Sequence, residues 1–299
     1  RTARATGGAR HGQRPAARHI GTTMARPFWK MHGLGNDFVV LDARRTPVAI
    51  DGEGARAIAD RRTGIGFDQM LIIEPGADGT DAFMRIRNAD GGEVEACGNG
   101  ARAVGRLLLE DTGRASVTIG TLAGPITASR APGGLVTVDM GPARLDWREI
   151  PLARAADTLH LDYALGPVSD PVAVSMGNPH VIFFVSDADA VDVAGLGPRI
   201  ETDPLFPART NVEFVQILSA TRVRMRVWER GVGITRACGT GACAVGVATA
   251  RRGLTGRRTE VVLDGGSLHI DWRDDGRVLM TGPAEISFTG TLGPALAGG

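Results

Sequence analysis

A chain of 299 residues, 43% hydrophobic and 22% charged, is long enough for two domains that each bury a core. Its formal net charge of +1 offers no global attraction for nucleic acid or an anionic membrane surface. No stretch has the length of an apolar transmembrane helix. Three cysteines and no secretory pattern lead us to expect a reducing, cytoplasmic setting and free thiols.

Residues 1–23 carry five arginines and no acid, so the remainder is net negative. The segment has no apolar run and no aromatic residues for stacking on bases. It reads as a disordered basic leader or an appended tail ahead of a start at Met24. Lys30, the only lysine, then precedes the Gly-rich opening Met31-His32-Gly33-Leu34-Gly35-Asn36. Phe38–Leu41 and Met70–Ile73 are apolar runs of strand length. Met84-Arg85-Ile86-Arg87-Asn88 leads into Ala96-Cys97-Gly98-Asn99-Gly100. Ala101, Val104 and Leu108 then fall at helical spacing, and Gly113 follows as a stop signal.

Turn residues near Gly141-Pro142 suggest a boundary. Beyond it, Val181–Val185 and Val212–Ile217 read as strands. Thr221–Val227 alternates Arg222, Arg224 and Arg226 with Val223, Met225 and Val227, the period-two pattern of a half-buried strand. Ala242–Ala250 is small and apolar all round and stops at Arg251-Arg252-Gly253. A helix apolar on every face must be buried on every face. Val261–Leu263, Leu268–Trp272 and Val278–Thr281 read as further strands.

The chain repeats itself. Cys97 follows Met84 at the same interval by which Cys238 follows Met225. Gly35-Asn36 and Gly177-Asn178 each open a segment, and the intervals from Asn36 to Cys97 and from Asn178 to Cys238 differ by a single position. These matches in register imply two homologous halves. The expectation is an α+β fold of two pseudo-symmetric domains, each a curved, mostly antiparallel sheet rolled around a central helix, with the active site between them. The halves are drawn as 24–142 and 143–283, and segment 284–299 could join the first.

Each Cys-Gly-x-Gly element stands where the chain enters a helix. The first N–H groups of a helix lack internal partners and bind anions, including carboxylates. The same terminus favours thiolate over thiol and is expected to lower a cysteine's pKa. Two such elements facing each other suit inversion of an amino-acid α-centre, which needs a base on one face, an acid on the other and a held carboxylate. The pyridoxal phosphate route needs a lysine, and Lys30, at the start of a strand, is poorly placed for it. A Gly-rich turn before a helix is often only a turn, and buried free cysteines are common. The matched pair outweighs that reading. Cys243, inside the small apolar helix, reads as core packing.

At these residues the sequence resembles the diaminopimelate epimerase family. The resemblance rests on Met31–Phe38, Gly66-Phe67-Asp68-Gln69, Asn88-Ala89-Asp90-Gly91, Cys97-Gly98-Asn99-Gly100, Gly177-Asn178-Pro179-His180, Glu229-Arg230-Gly231 and Ala237-Cys238-Gly239-Thr240-Gly241-Ala242. It runs from about Lys30 to Gly282. It implies that Cys97 and Cys238 are the acid/base pair that interconverts LL- and meso-diaminopimelate, with no cofactor and no metal. The amides of Gly98, Asn99, Gly239 and Thr240 would hold the reacting carboxylate. Asn36, Gln69, Asn88, Asn178, Asn211, Glu229 and Arg230 match substrate-binding positions, and His180 and Glu229 match groups beside the thiols. A small-molecule substrate, no nucleic acid, no membrane and a homodimer are the expected partners. Taken singly, the asparagines are ordinary turn residues, and Glu229-Arg230 would be a surface pair worth little.

Three rival readings compete. A related two-thiol racemase would act on proline or hydroxyproline, but an arginine fork beside several amides suits a substrate with a second amino-acid head. A thiol redox protein is disfavoured by the absence of Cys-x-x-Cys. A nucleotide-binding module lacks both the dinucleotide fingerprint and a Walker A lysine.

Overall fold

The computed structural model describes residues 26–95, 97–293 and 296, so the basic leader lies outside the described residues. Among the described residues four α-helices punctuate a largely β chain: α1 (Gly52–Ala59), α2 (Gly98–Thr112), α3 (Val193–Glu201) and α4 (Gly239–Arg251). The fold is α+β with two halves, each built around one buried helix. Strands Arg26–Gly33, Asn36–Asp42, Gln69–Pro75, Ala82–Asn88, Ser116–Gly120, Ile126–Arg130 and Val136–Pro142 surround α2. Strands Val172–Ser175, Pro179–Phe184, Asn211–Ser219, Arg222–Glu229, Arg258–Leu263, Gly266–Trp272 and Arg277–Gly282 surround α4.

Strand pairing repeats with the sequence. Most neighbours are antiparallel, but Phe38 pairs in parallel with Gln69. In the second half His180 pairs in parallel with Asn211, and both partners are displaced along the chain by the same interval. The halves are joined as one sheet, because Arg277–Gly282 runs antiparallel to Val136–Pro142. The last strand, Glu285–Leu292, returns to pair with Arg26–Gly33 of the first half.

Helices α1 and α3 go beyond the sequence reading, as do several strands, Ser116–Gly120, Ile126–Arg130, Val136–Pro142 and Val172–Ser175 among them. Helix α1 contains Gly52 and Gly54 and α3 contains Gly195, Gly197 and Pro198, residues that disfavour helix. Both form because side-chain caps, Asp51 and Asp192, satisfy first-turn amides while Ile58, Leu196 and Ile200 are buried. The strands after α2 are short, but Val117, Ile119, Ala128, Val136 and Val138 all point into its core.

Each central helix lies unusually close to its sheet, and a glycine makes this possible. A Cβ added at Gly105 would stand 2.6 Å from Ala128 Cβ, and one added at Gly246 would stand 2.6 Å from Ile270 Cγ2. The two glycines hold the same place in their helices, counted from Cys97 and from Cys238. Gly246→Ala should therefore destabilise by about 1–3 kcal/mol through overpacking. The sign is opposite to the gain of about 1 kcal/mol that alanine brings inside an unconstrained helix. Denaturant unfolding reads the difference, and a stabilised variant would contradict the close packing.

Candidate active site

Cys97 and Cys238 are the N-caps of α2 and α4. Both have extended backbone, and each sulfur accepts an N–H from the third residue on: Gly100 at 3.3 Å and Gly241 at 3.4 Å. The sulfur thus takes the place of the oxygen that usually caps a helix. The two helix starts face each other. A Cβ built at Gly98 would lie 3.0 Å from Met280 Cε, and one at Gly239 would lie 3.2 Å from Met280 Sδ and 3.0 Å from Asn99 Oδ1. Met280 and Asn99, with Met140 beside Gly98, therefore fill the space between the termini, and a side chain at either first position would press on them.

The surrounding amides obey the same twofold. Asn99 Nδ2 donates to Asn36 Oδ1 (3.2 Å), and Asn178 Nδ2 donates to Thr240 Oγ1 (3.3 Å). Gln69 Nε2 donates to Asn88 Oδ1 (3.1 Å) and leaves its own oxygen buried without a partner. Asn211, at the position of Gln69 in the second half, is buried; its oxygen accepts the Arg230 N–H (2.9 Å) and its amide donates to Pro179 O (2.8 Å). Asn211 thereby fixes the turn that carries Arg230, whose guanidinium donates to Ala208 O. Glu229 accepts the Thr235 hydroxyl, and its carboxylate lies close enough to Cys238 for the two to influence each other's protonation. A cleft of about 520 Å³ opens beside this constellation, lined by His32, Gly35, Asp37, Arg61 and Arg236 among others; neither Cys97 nor Cys238 lines it.

His180 is connected to Cys238 indirectly. Its Nε2 bonds Asn178 Oδ1 (3.0 Å), and its Nδ1 bonds Glu213 Oε1 (2.7 Å), with both members of that pair fully buried. Asn178 and Thr240 stand between the ring and the sulfur, which lies 3.7 Å from Thr240 Oγ1. The sequence reading missed Glu213, although an acid inside the apolar run Val212–Val215 is a signal that it serves a buried partner. It also missed Arg102, on α2, whose side chain is fully buried.

The expected lowering of the thiol pKa is overturned. Burial pushes Cys97 up, opposed by the Gly100 N–H and the Arg102 guanidinium. Burial pushes Cys238 well up, and the Glu229 and Glu213 carboxylates beside it add to the rise. The helix terminus pulls the other way, but desolvation of the charged form wins. Burial likewise raises Glu229 and Glu213 above the usual carboxylate range. Lys30 donates to Asp37 and to Gly66 O, so its ammonium is tied into an ion pair. Cys243 is fully buried, and burial pushes it up to about 12.

Comparison with known proteins decides the family. The family model described as Diaminopimelate epimerase matches residues 28–145 and 172–287, both helix starts included. The chain belongs to the diaminopimelate epimerase family. It is 57% identical over 277 residues to a diaminopimelate epimerase of Rhodospirillum centenum, covering 92% of this chain and 95% of that one. It is 54% identical to one of Phenylobacterium zucineum, covering 91% of this chain and 100% of that one. A solved hydroxyproline epimerase of Agrobacterium vitis shares the fold, with a TM-score of 0.61 at 17% identity, covering 92% of this chain and 94% of that one. Between its two segments the family match omits residues 146–171, a largely irregular stretch at the start of the second half. Among the described residues no helix is long and apolar enough to cross a membrane, and no His/Cys/Asp/Glu cluster is arranged to hold a metal.

The raised thiols set a pH dependence. A thiol is alkylated through its thiolate, so a raised pKa means slow reaction near pH 7 that quickens as pH climbs. Peptide-mapped iodoacetamide labelling should show Cys238 lagging Cys97, with Cys243 untouched until the chain unfolds. Rapid labelling of Cys238 at pH 6 would contradict the burial argument.

Proposed function

We propose that this chain interconverts LL- and meso-diaminopimelate, a step toward lysine and peptidoglycan precursors, by moving the α-proton between Cys97 and Cys238. The observation that carries the reading is the pair of equivalent cysteine N-caps on two helices whose starts face each other. One thiolate removes the α-proton from one face, and the opposite thiol delivers its own proton to the other. The electron pair left behind is shared with the α-carboxylate, held by the first N–H groups of α2 and α4: Gly98, Asn99, Gly239 and Thr240. After turnover the thiols have exchanged roles and re-equilibrate with solvent.

Asn36, Gln69, Asn88 and Asn178 supply amides for the ends of the substrate, and Glu229 and Arg230 an acceptor for an ammonium and a donor for the distal carboxylate. Asn211 serves through its hold on Arg230. The Glu229 carboxylate acts on the protonation of Cys238 and belongs to its acid/base chemistry. His180, two hydrogen bonds farther back, sets the orientation of Asn178 and Thr240. No cofactor or metal takes part, since the one lysine is committed to Asp37 and both proton carriers are side chains. The reading includes a cytoplasmic enzyme and a homodimer, with no nucleic-acid partner.

The test is incubation of the purified protein with LL-diaminopimelate in deuterated water. Deuterium should appear at one α-carbon of the meso product without added cofactor. Cys97→Ala and Cys238→Ala should each cost about 10³-fold or more, the upper range for loss of an acid or base group. Exchange with proline or hydroxyproline but not diaminopimelate would transfer the reading to a single-headed racemase. A stable Cys97–Cys238 disulfide in the active form would favour a redox protein.

A further inference from the structure

The two halves match at the thiols and differ in the charges around them. Arg102 follows Cys97 at the same interval by which Cys243 follows Cys238, so one repeat position carries a cation in the first half and a small thiol in the second. The parallel strand pairs place His180 where the first half has Phe38, and Glu213 where it has Leu71. The buried acid and its histidine therefore belong to the second half alone.

Arg102 is fully buried, and no carboxylate among the described residues reaches it. Its Nε donates to Pro283 O (3.2 Å) and its Nη1 to Met280 Sδ (3.4 Å), while Nη2 has no partner. Glycines make the space: a Cβ at Gly33 would come 2.9 Å from Nη2, and one at Gly282 would come 3.4 Å from Nε. Met280, which the guanidinium touches, is the same side chain that fills the gap between the two helix starts. The cation therefore sits directly behind the site. The titratable groups facing it are Cys97 and Cys243. Cys97 in turn faces Arg102 and, across the seam, Glu229, whereas Cys238 faces Glu229 and Glu213, the latter paired with His180. A buried charge left without a partner is costly unless it serves another group.

Resting on the two-thiol reading above, we propose that Arg102 is a positioning residue which polarises the pair, so that when one proton is shared it rests on Cys238 and the negative charge on Cys97. The fixed charge also favours an anion at the helix starts, where the α-carboxylate is held. Cys97 is then the base of the resting enzyme, and the epimer whose α-hydrogen faces Cys97 is taken up without prior proton exchange.

The test compares Arg102→Met, neutral and of similar length, with Arg102→Lys, which keeps the charge. Peptide-mapped alkylation across pH 6–10 needs no substrate, so its outcome is separate from whether diaminopimelate is turned over. In Arg102→Met the Cys97 profile should move to higher pH, with a rate at pH 7 about tenfold lower, the effect of one pKa unit. The Cys238 profile should move less. In Arg102→Lys the Cys97 profile should stay near that of the parent. The melting temperature of Arg102→Met should hold or rise, since an unpaired buried charge has been replaced by an apolar chain. If Arg102→Met does not fold, Arg102→Gln, neutral and able to donate to Pro283 O, takes its place. An unmoved Cys97 profile in the neutral variant, or an equal shift in Arg102→Lys, would overturn the proposal.

Discussion

A cysteine capping the first turn of a helix buried along most of its length is the constraint on which the rest of this structure depends. Helix α4 is buried along nearly its whole length, and α2 along most of its own. A helix of that kind needs a sheet that closes around it, which explains the many strands, and glycines that admit close approach, which explains Gly105 and Gly246. Its start cannot also be buried among apolar groups, because the first amides have no internal partners. In both halves those starts are turned to the seam. There, sulfur and neighbouring amides occupy positions that an apolar core could not fill without cost.

Duplication explains the parts that match, and the departures carry the chemistry of difference. Asn36 and Asn178, Asn99 and Thr240, Gln69 and Asn211, and Asn88 and Glu229 occupy corresponding places. The second half replaces neutral amides or apolar residues with Glu229, Glu213 and His180, and the first half adds Arg102. A reaction that runs in both directions across one α-carbon requires two proton carriers, but nothing requires them to be equally acidic. Burial raises both thiols, and the surrounding charges separate them.

Much of this was legible in the sequence for identifiable reasons. The strand runs were apolar or alternating, the central helices were marked by small residues and glycine stops, and the repeat spacing located both cysteines. The parallel pairing of Phe38 with Gln69 and of His180 with Asn211 was not legible, because no local pattern encodes partner choice. Helices α1 and α3 were hidden by glycine and proline that packing overrides. The thiol acidity was misjudged because the helix-end effect is local and visible in sequence, whereas desolvation depends on how the folded halves close around the sulfur. Glu213 and Arg102 carry no motif; their weight comes from full burial, which a sequence shows only as an odd charge in an apolar context.

The central claim is that each thiol serves one face of one α-carbon. It is tested most directly by giving Cys97→Ala and Cys238→Ala a diaminopimelate analogue with a β-leaving group, in each α-configuration, and following elimination. Elimination needs a base alone, so a variant that cannot epimerise can still perform it. Each variant should act on one configuration only, and the two should prefer opposite ones. Equal elimination of both configurations by both variants would show that the proton is taken by a group other than these cysteines.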